Sequence, residues 1–453
     1  MRRFVAIGLL LALAACSKDK DVDKPAKLAN LQATLRVDRV WGDDVGGAKV
    51  PLRLGLALAV DGDRVYAAGR KGDVAAFALA TGHQIWRTRT KAPLGGATAV
   101  AGGLVAVGSS DGDVIALDAA NGRVRWRVRV NGEILSSPAI GPRALVVRTA
   151  DGKLRGLGVA DGKELWQQEQ AVPRLSLRGV ARPTIAGDMA ICGFDNGKVV
   201  AVNSIDGTVA WETPVAPPRG RTELERLVDI DSAVQVSAQD VFVVGFQGKV
   251  AMLALDTGQV WWSHEASSYR TLGLDDDNIY MASADGEITA LTRRTGAEVW
   301  HQKALLHRGL SAPTVADDAV VVGDFQGYVH WLDKSTGALA ARVSTGKVRI
   351  SNAPLVAGNL VIVINDRGRI SAYRVTPLPG HAKPAARPAA QPATAPIAAP
   401  AALPAAPSNV PPAPSKPVPS PSPPAPDTAP PASEPAPTPT PSTAPSTATP
   451  TGR

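Results

Sequence analysis

Short apolar-rich runs, each broken by a turn centred on glycine, follow one another from about residue 35 to residue 375. The first set is typical. Leu56 to Val60 leads to a turn at Asp61-Gly62-Asp63, then come Val65 to Ala68, a turn at Lys71-Gly72, Val74 to Leu79, a turn at Thr81-Gly82, and Gln84 to Arg89. Runs of this length with tight polar turns predict β-strands joined as hairpins, so each set reads as a four-stranded antiparallel sheet. Glycine supplies the positive φ that such turns need, and the flanking Asp, Asn and Thr can bond the local backbone.

The pattern repeats. Glycines after a turn residue stand at 72, 112, 152, 197, 248, 286, 327 and 368, and in the first seven units a second glycine follows ten positions later. Four positions beyond that glycine comes Trp86, Trp126, Trp166, Trp211, Trp262 or Trp300, and in the seventh unit Ala341. A repeat near forty residues with strands alone predicts an all-β propeller, because one such sheet cannot bury both faces and neighbours packed around an axis can. The tryptophans are expected to fill the gaps between blades near the outermost strands. The last unit, Leu360 to Ile364 and Ile370 to Val375, lacks an outermost strand, while Leu35 to Trp41 is strand-like and has no partner nearby. Eight blades with the ring closed by this N-terminal strand account for both, and for Trp41. Closure also removes free sheet edges.

Two consecutive glycine intervals are long, 45 and 51 residues against 38 to 41 elsewhere. The extra residues fall between an outermost strand and the next innermost one, so both insertions are expected on one face, side by side. They include Val172 to Ala181 and Pro214 to Val234. Leucines, arginines and two aspartates two residues apart suit a protein contact, with apolar anchors flanked by orienting charge.

The N-terminus bears on location. Arg2 and Arg3 precede an apolar run from Phe4 to Ala12, too short to span a bilayer, that ends in Leu13-Ala14-Ala15-Cys16. Small residues before a cysteine resemble the bacterial lipobox, which predicts removal of residues 1–15, acylation of Cys16 and a tether over 16–34. Ser17, where an inner-membrane lipoprotein typically carries Asp, favours the outer membrane. The folded body is then expected over 35–375. The remaining residues, 376–453, hold most of the chain's 38 prolines among Ala, Ser and Thr and have too few large apolar side chains to fold. Of the two cysteines, Cys192 lies in the apolar run Met189-Ala190-Ile191-Cys192 and reads as a core position. The formal charge of +8 has no dominant basic block, which fits a solvated basic surface, an acidic protein surface or anionic lipid.

The lipobox, the eight units and the loop strings LSLRG (175–179) and RLVDID (226–231) resemble the BamB family, lipoproteins of the outer-membrane β-barrel assembly (BAM) machinery with an eight-bladed quinoprotein-type propeller. The resemblance covers roughly Cys16 to Val375. It implies an outer-membrane lipoprotein facing the periplasm, without catalysis or cofactor, that binds the POTRA region of BamA. The family's contact positions match Leu175, Leu177, Arg178, Asp229 and Asp231. It also implies a hand in passing unfolded barrel precursors to BamA.

Other functions fit less well. Quinone-dependent dehydrogenases share the repeat but use an adjacent cysteine pair and a calcium-binding carboxylate site, and the mature chain has no such pair beyond its first residue. His301 and His307 are too far apart for an HExxH site, and there is no P-loop. The repeated Asp-Gly pairs read as turns and not as calcium ligands, so no metal site is expected. Basic and aromatic residues are not interleaved as nucleic acid would require. A propeller that takes a cell-wall or small-molecule ligand in its central channel remains an open alternative.

Overall fold

Each expected unit folds as an antiparallel four-stranded sheet in the computed structural model, which describes residues 23–47, 56–177 and 181–380. In the first blade the strands are Ala59–Asp61, Arg64–Ala68, Asp73–Ala78 and Gln84–Arg89, paired in sequence order. The next six blades occupy 99–129, 139–169, 184–214, 235–266, 273–302 and 314–344. The eighth consists of Leu355–Ala357, Leu360–Ile364 and Arg369–Pro377, and its outermost strand is Leu35–Asp44 from the other end of the chain. This closing strand pairs antiparallel from Leu35 opposite Pro377 to Asp44 opposite Arg369, with a bulge between Arg39 and Trp41. The third strand of that blade thus runs to Pro377, slightly past the expected end at Val375.

The core is divided into eight clusters, each between adjacent blades. The repeat tryptophan of each outermost strand that carries one spans such a seam, whereas Trp261, beside Trp262, is exposed. Trp86 donates its indole N–H to the Ala119 carbonyl of the following blade at 3.0 Å, and Trp41 of the closing strand donates to Leu79 at 2.8 Å. The same bond recurs from Trp126, Trp166, Trp211, Trp262 and Trp300. The ring lies flat on the second glycine of the following unit. A Cβ added at Gly122 would stand 2.5 Å from Trp86, and φ there is +74°. The glycine and tryptophan of one repeat therefore serve two different seams, and neither can change alone.

The seventh unit departs from this rule for a reason set by closure. The outermost strand of the eighth blade comes from the N-terminus, so no hairpin turn exists there to offer a receiving glycine. Ala341 stands where the tryptophan would be, and its cross-strand partner is Trp331, fully buried. In most other blades the partner of the tryptophan is small, as in Ala76 opposite Trp86, Ala116 opposite Trp126 and Gly156 opposite Trp166, while Met252 stands opposite Trp262. The bulky and small residues have exchanged strands, which keeps the layer close to filled.

Turns between the second and third strands of a blade share one face with the connections between blades. Arg70 bonds Pro93 and Leu94, and the Ala150 amide bonds Glu133, each pair linking such a turn to such a connection. The other hairpin turns gather on the opposite face, where Leu79 bonds Asp63 and Ser204 bonds Asp188.

Candidate functional site

Both long insertions lie on the face that carries the blade connections. The first joins Glu164–Glu169 to Thr184–Ala186, and the second joins Val209–Pro214 to Gln235–Ser237. The second begins with a tight turn that the sequence dictates. Thr222 and Glu225 cap it reciprocally, since Glu225 Oε2 accepts the Arg221 and Thr222 amides at 2.8 and 3.1 Å while Thr222 Oγ1 accepts the Glu225 amide at 3.2 Å. These amide donors hold the Glu225 carboxyl below its ordinary range. The turn pushes Leu224 into solvent, 65% exposed.

After Leu224 the loop dives inward. Leu227, Val228 and Ile230 are buried, and so are the side chains of Asp229 and Asp231. Asp229 and Phe246 bridge as an isolated β-pair, with the Phe246 amide 2.7 Å from the Asp229 carbonyl. The Asp229 carboxyl accepts the Leu177 amide at 2.9 Å, tying the first insertion to the second. Around it lie Asp195, Asp231 and Arg148, the last in direct contact with Asp195 and fully buried. Burial, and next the Asp231 and Asp195 charges, push the Asp229 carboxyl up to about 8. Burial likewise pushes the Cys192 thiol up to about 12, as befits the core position expected of it.

These positions correct the picture of two acidic contact residues at the surface. Asp229 is 0% exposed and Asp231 7%, because the apolar residues between and before them pull the segment under the first loop. Leu175 is exposed at 42%, and Val172 beside it at 41%. Leu177 is half-buried and turned to the channel mouth, where Arg182, Asp231, Phe246 and Tyr269 line the same cavity. Arg178 and Cys16 lie outside the described residues. The sequence reading did not single out Leu224, Phe246 or Tyr269. Leu224 could have been noticed as the lone large apolar residue in a charged stretch, whereas the aromatic pair, with centroids 6.3 Å apart, is brought in from two different turns.

The channel is a cavity of about 770 Å³ lined by residues from all eight blades, including Thr98, Ser137, Arg182 and Arg270. Among the described residues no three His, Cys, Asp or Glu side chains converge as a metal site.

A sequence model described as outer membrane protein assembly factor BamB matches residues 70–302 and 284–378. The chain belongs to the BamB family. It is 45% identical over 370 residues to an outer membrane protein assembly factor BamB of Pseudomonas aeruginosa, covering 82% of this chain and 97% of that one. The corresponding protein of Kangiella koreensis is 41% identical over 369 residues, covering 82% and 95%. The crystal structure of BamB from Moraxella catarrhalis superposes with a TM-score of 0.69 at 27% identity, over 75% of this chain and all of that one. A quinohemoprotein alcohol dehydrogenase from Comamonas testosteroni also superposes, with a TM-score of 0.61 at 12% identity over 75% of this chain and 76% of that one. At that identity the likeness is one of fold alone, and the named BamB relatives are assembly factors.

Proposed function

We propose that this member of the BamB family is a non-catalytic scaffold of the outer-membrane β-barrel assembly machinery, lipid-anchored at Cys16 with its propeller in the periplasm, and that it holds the POTRA region of BamA on the surface made by its two insertions. The hydrogen bond from the Leu177 amide to the Asp229 carboxyl carries this reading. It makes one preformed surface of two loops that the repeat alone would not require. Leu175 and Val172 of the first insertion and Leu224 of the second offer exposed apolar side chains to a partner at little cost in loop ordering. Arg178 is the charged position of the first insertion that matches the family. Asp229 and Asp231 act from below, as residues that position the loops. Help in passing unfolded barrel precursors to BamA belongs to the same proposal and rests on family membership.

Affinity purification of the native lipoprotein tests the site. Leu175→Ala/Arg178→Ala is expected to lose a BamA-like barrel protein, since a hot-spot loss of about 2 kcal/mol at either residue alone weakens binding roughly thirtyfold, and Asp229→Ala/Asp231→Ala is expected to lose it by releasing the loops that those carboxyls position. Equal copurification with wild type and both folded variants would leave the partner and remove the site. Absence of any barrel-assembly protein from the wild-type sample would remove the partner as well.

A further inference from the structure

The segment ahead of the closing strand is docked on the propeller. The Ala26 amide donates to the Leu306 carbonyl at 2.9 Å, and the Ala26 carbonyl accepts Arg308 Nη1 at 3.0 Å. Arg308 is itself buried and fixed, with Asp324 Oδ2 at 2.7 Å and Gln326 Oε1 at 2.6 Å. Leu28 packs against the cluster of Trp300, Leu305 and Leu310. Arg342 then holds the Ala29 carbonyl at 3.0 Å, and the Thr34 amide reaches Ala340 at 2.9 Å. Residues 26–34 thus form a strap along the outer strand of the seventh blade. It starts at the face that carries the blade connections, where Leu306 and Arg308 lie, and ends at the opposite face, where Thr34 turns into the closing strand.

This direction decides where an anchor at Cys16 must sit. Asp23 is seven residues beyond Cys16, and that length of chain spans at most about 25 Å when fully extended. A lipidated Cys16 therefore keeps the connection-bearing face, at its sixth to eighth blades, close to the bilayer. The charges of the two faces agree with such a placement. On the connection-bearing face around the strap, Lys24, Lys27, Lys303, Lys347 and Arg367 are exposed. The acids of that sector are partly engaged, with Glu287 3.5 Å from Lys303, Asp366 accepting Ser351 and Asp44 accepting the Gly46 amide, while Asp23 and Asp285 are exposed. The opposite face presents exposed aspartates at its turns, among them Asp63, Asp161, Asp206, Asp256, Asp276 and Asp318.

We infer that the connection-bearing face of blades six to eight docks on an anionic phospholipid surface, with the strap fixing that orientation. The inference rests on the proposed lipidation of Cys16. Basic residues within a Debye length of such a surface are attracted to it, and the aspartate-rich face is repelled. The face toward the membrane also carries the two insertions on blades three to five, so the proposed partner surface would look the same way as the anchor.

The test uses the full-length acylated protein in phosphatidylethanolamine vesicles with and without phosphatidylglycerol. A fluorophore is placed at Ser344→Cys or at Ser335→Cys, which lie at opposite ends of the same blade. Cys192 is buried and stays unlabelled. A headgroup quencher is expected to act at least about threefold more on position 344 than on 335 when phosphatidylglycerol is present, and the difference is expected to vanish in high salt. Lys303→Glu/Lys347→Glu/Arg367→Glu is expected to abolish it too. Equal quenching at both positions in a protein whose mass shows acylated Cys16 overturns the orientation alone. A mass without acyl chains overturns the anchored reading, and the orientation with it.

Discussion

The carboxyl of Asp229 occupies a buried site that it shares with Asp195, Asp231 and one fully buried guanidinium, that of Arg148. A carboxyl raised to about 8 binds its proton more tightly folded than unfolded, where its value lies near 3.9. Its contribution to stability is therefore complete below about pH 4 and is lost as pH rises through about 8. Asp229→Asn keeps an oxygen for the Leu177 amide and cannot ionise. We expect that variant to flatten the fall in urea stability between about pH 4 and 8 without loosening the first insertion. Asp229→Ala leaves the amide unpaired and is expected to cost about 1–3 kcal/mol, with faster proteolysis near Leu175. Identical pH slopes for wild type and Asp229→Asn would assign the dependence to another group.

Within a blade, the decisive relation is the pairing of a bulky and a small residue across the third and fourth strands. Trp331 opposite Ala341 reverses the order seen at Ala76 and Trp86. Trp331→Ala should cost about 3–5 kcal/mol as a buried aromatic deletion. Ala341→Trp should also destabilise, by about 1–3 kcal/mol, because the ring would enter a filled layer. The double exchange should recover part of the loss and not all of it, since the eighth blade has no hairpin glycine to receive the ring. Thermal melts of the three variants measure this directly. Full recovery in the double variant would mean that the receiving glycine is dispensable.

At the scale of the whole ring, closure relies on the pairing of Leu35–Asp44 with Arg369–Pro377 and on Trp41 reaching into the first blade. Deleting residues 35–44 exposes the edge of the eighth blade and empties the seam above Gly82. Such a chain is expected to aggregate through that edge. Moving the same segment behind Pro377 through a short turn should restore a monomer, since the strand would then close its blade as a hairpin. Light scattering separates the two outcomes. An unaffected deletion variant would show that the ring is held by blade packing alone.

Most of the architecture was legible in the chain, because a repeat of turns and alternating strands is a local signal written eight times over. Blade number, the closing strand, the seam tryptophans and the position of both insertions all follow from period and spacing. The pattern also marked Ala341 as an exception without giving its cause, which is the missing hairpin turn created by closure. The candidate site was legible as a place and less so as a set of roles. Leu175 stands exposed as expected, whereas Asp229 and Asp231 read as surface charge and are buried. Exposure of a loop residue depends on which neighbours fold over it, and Phe246, Asp195 and Arg148 come from two turns and a strand end elsewhere along the chain. The docking of residues 26–34 was invisible for the same reason, as no local pattern records a buried Arg308 waiting for the Ala26 carbonyl. Local periodicity determined the elements and their count, and packing between distant segments decided which charges are buried and on which face residues 26–34 begin.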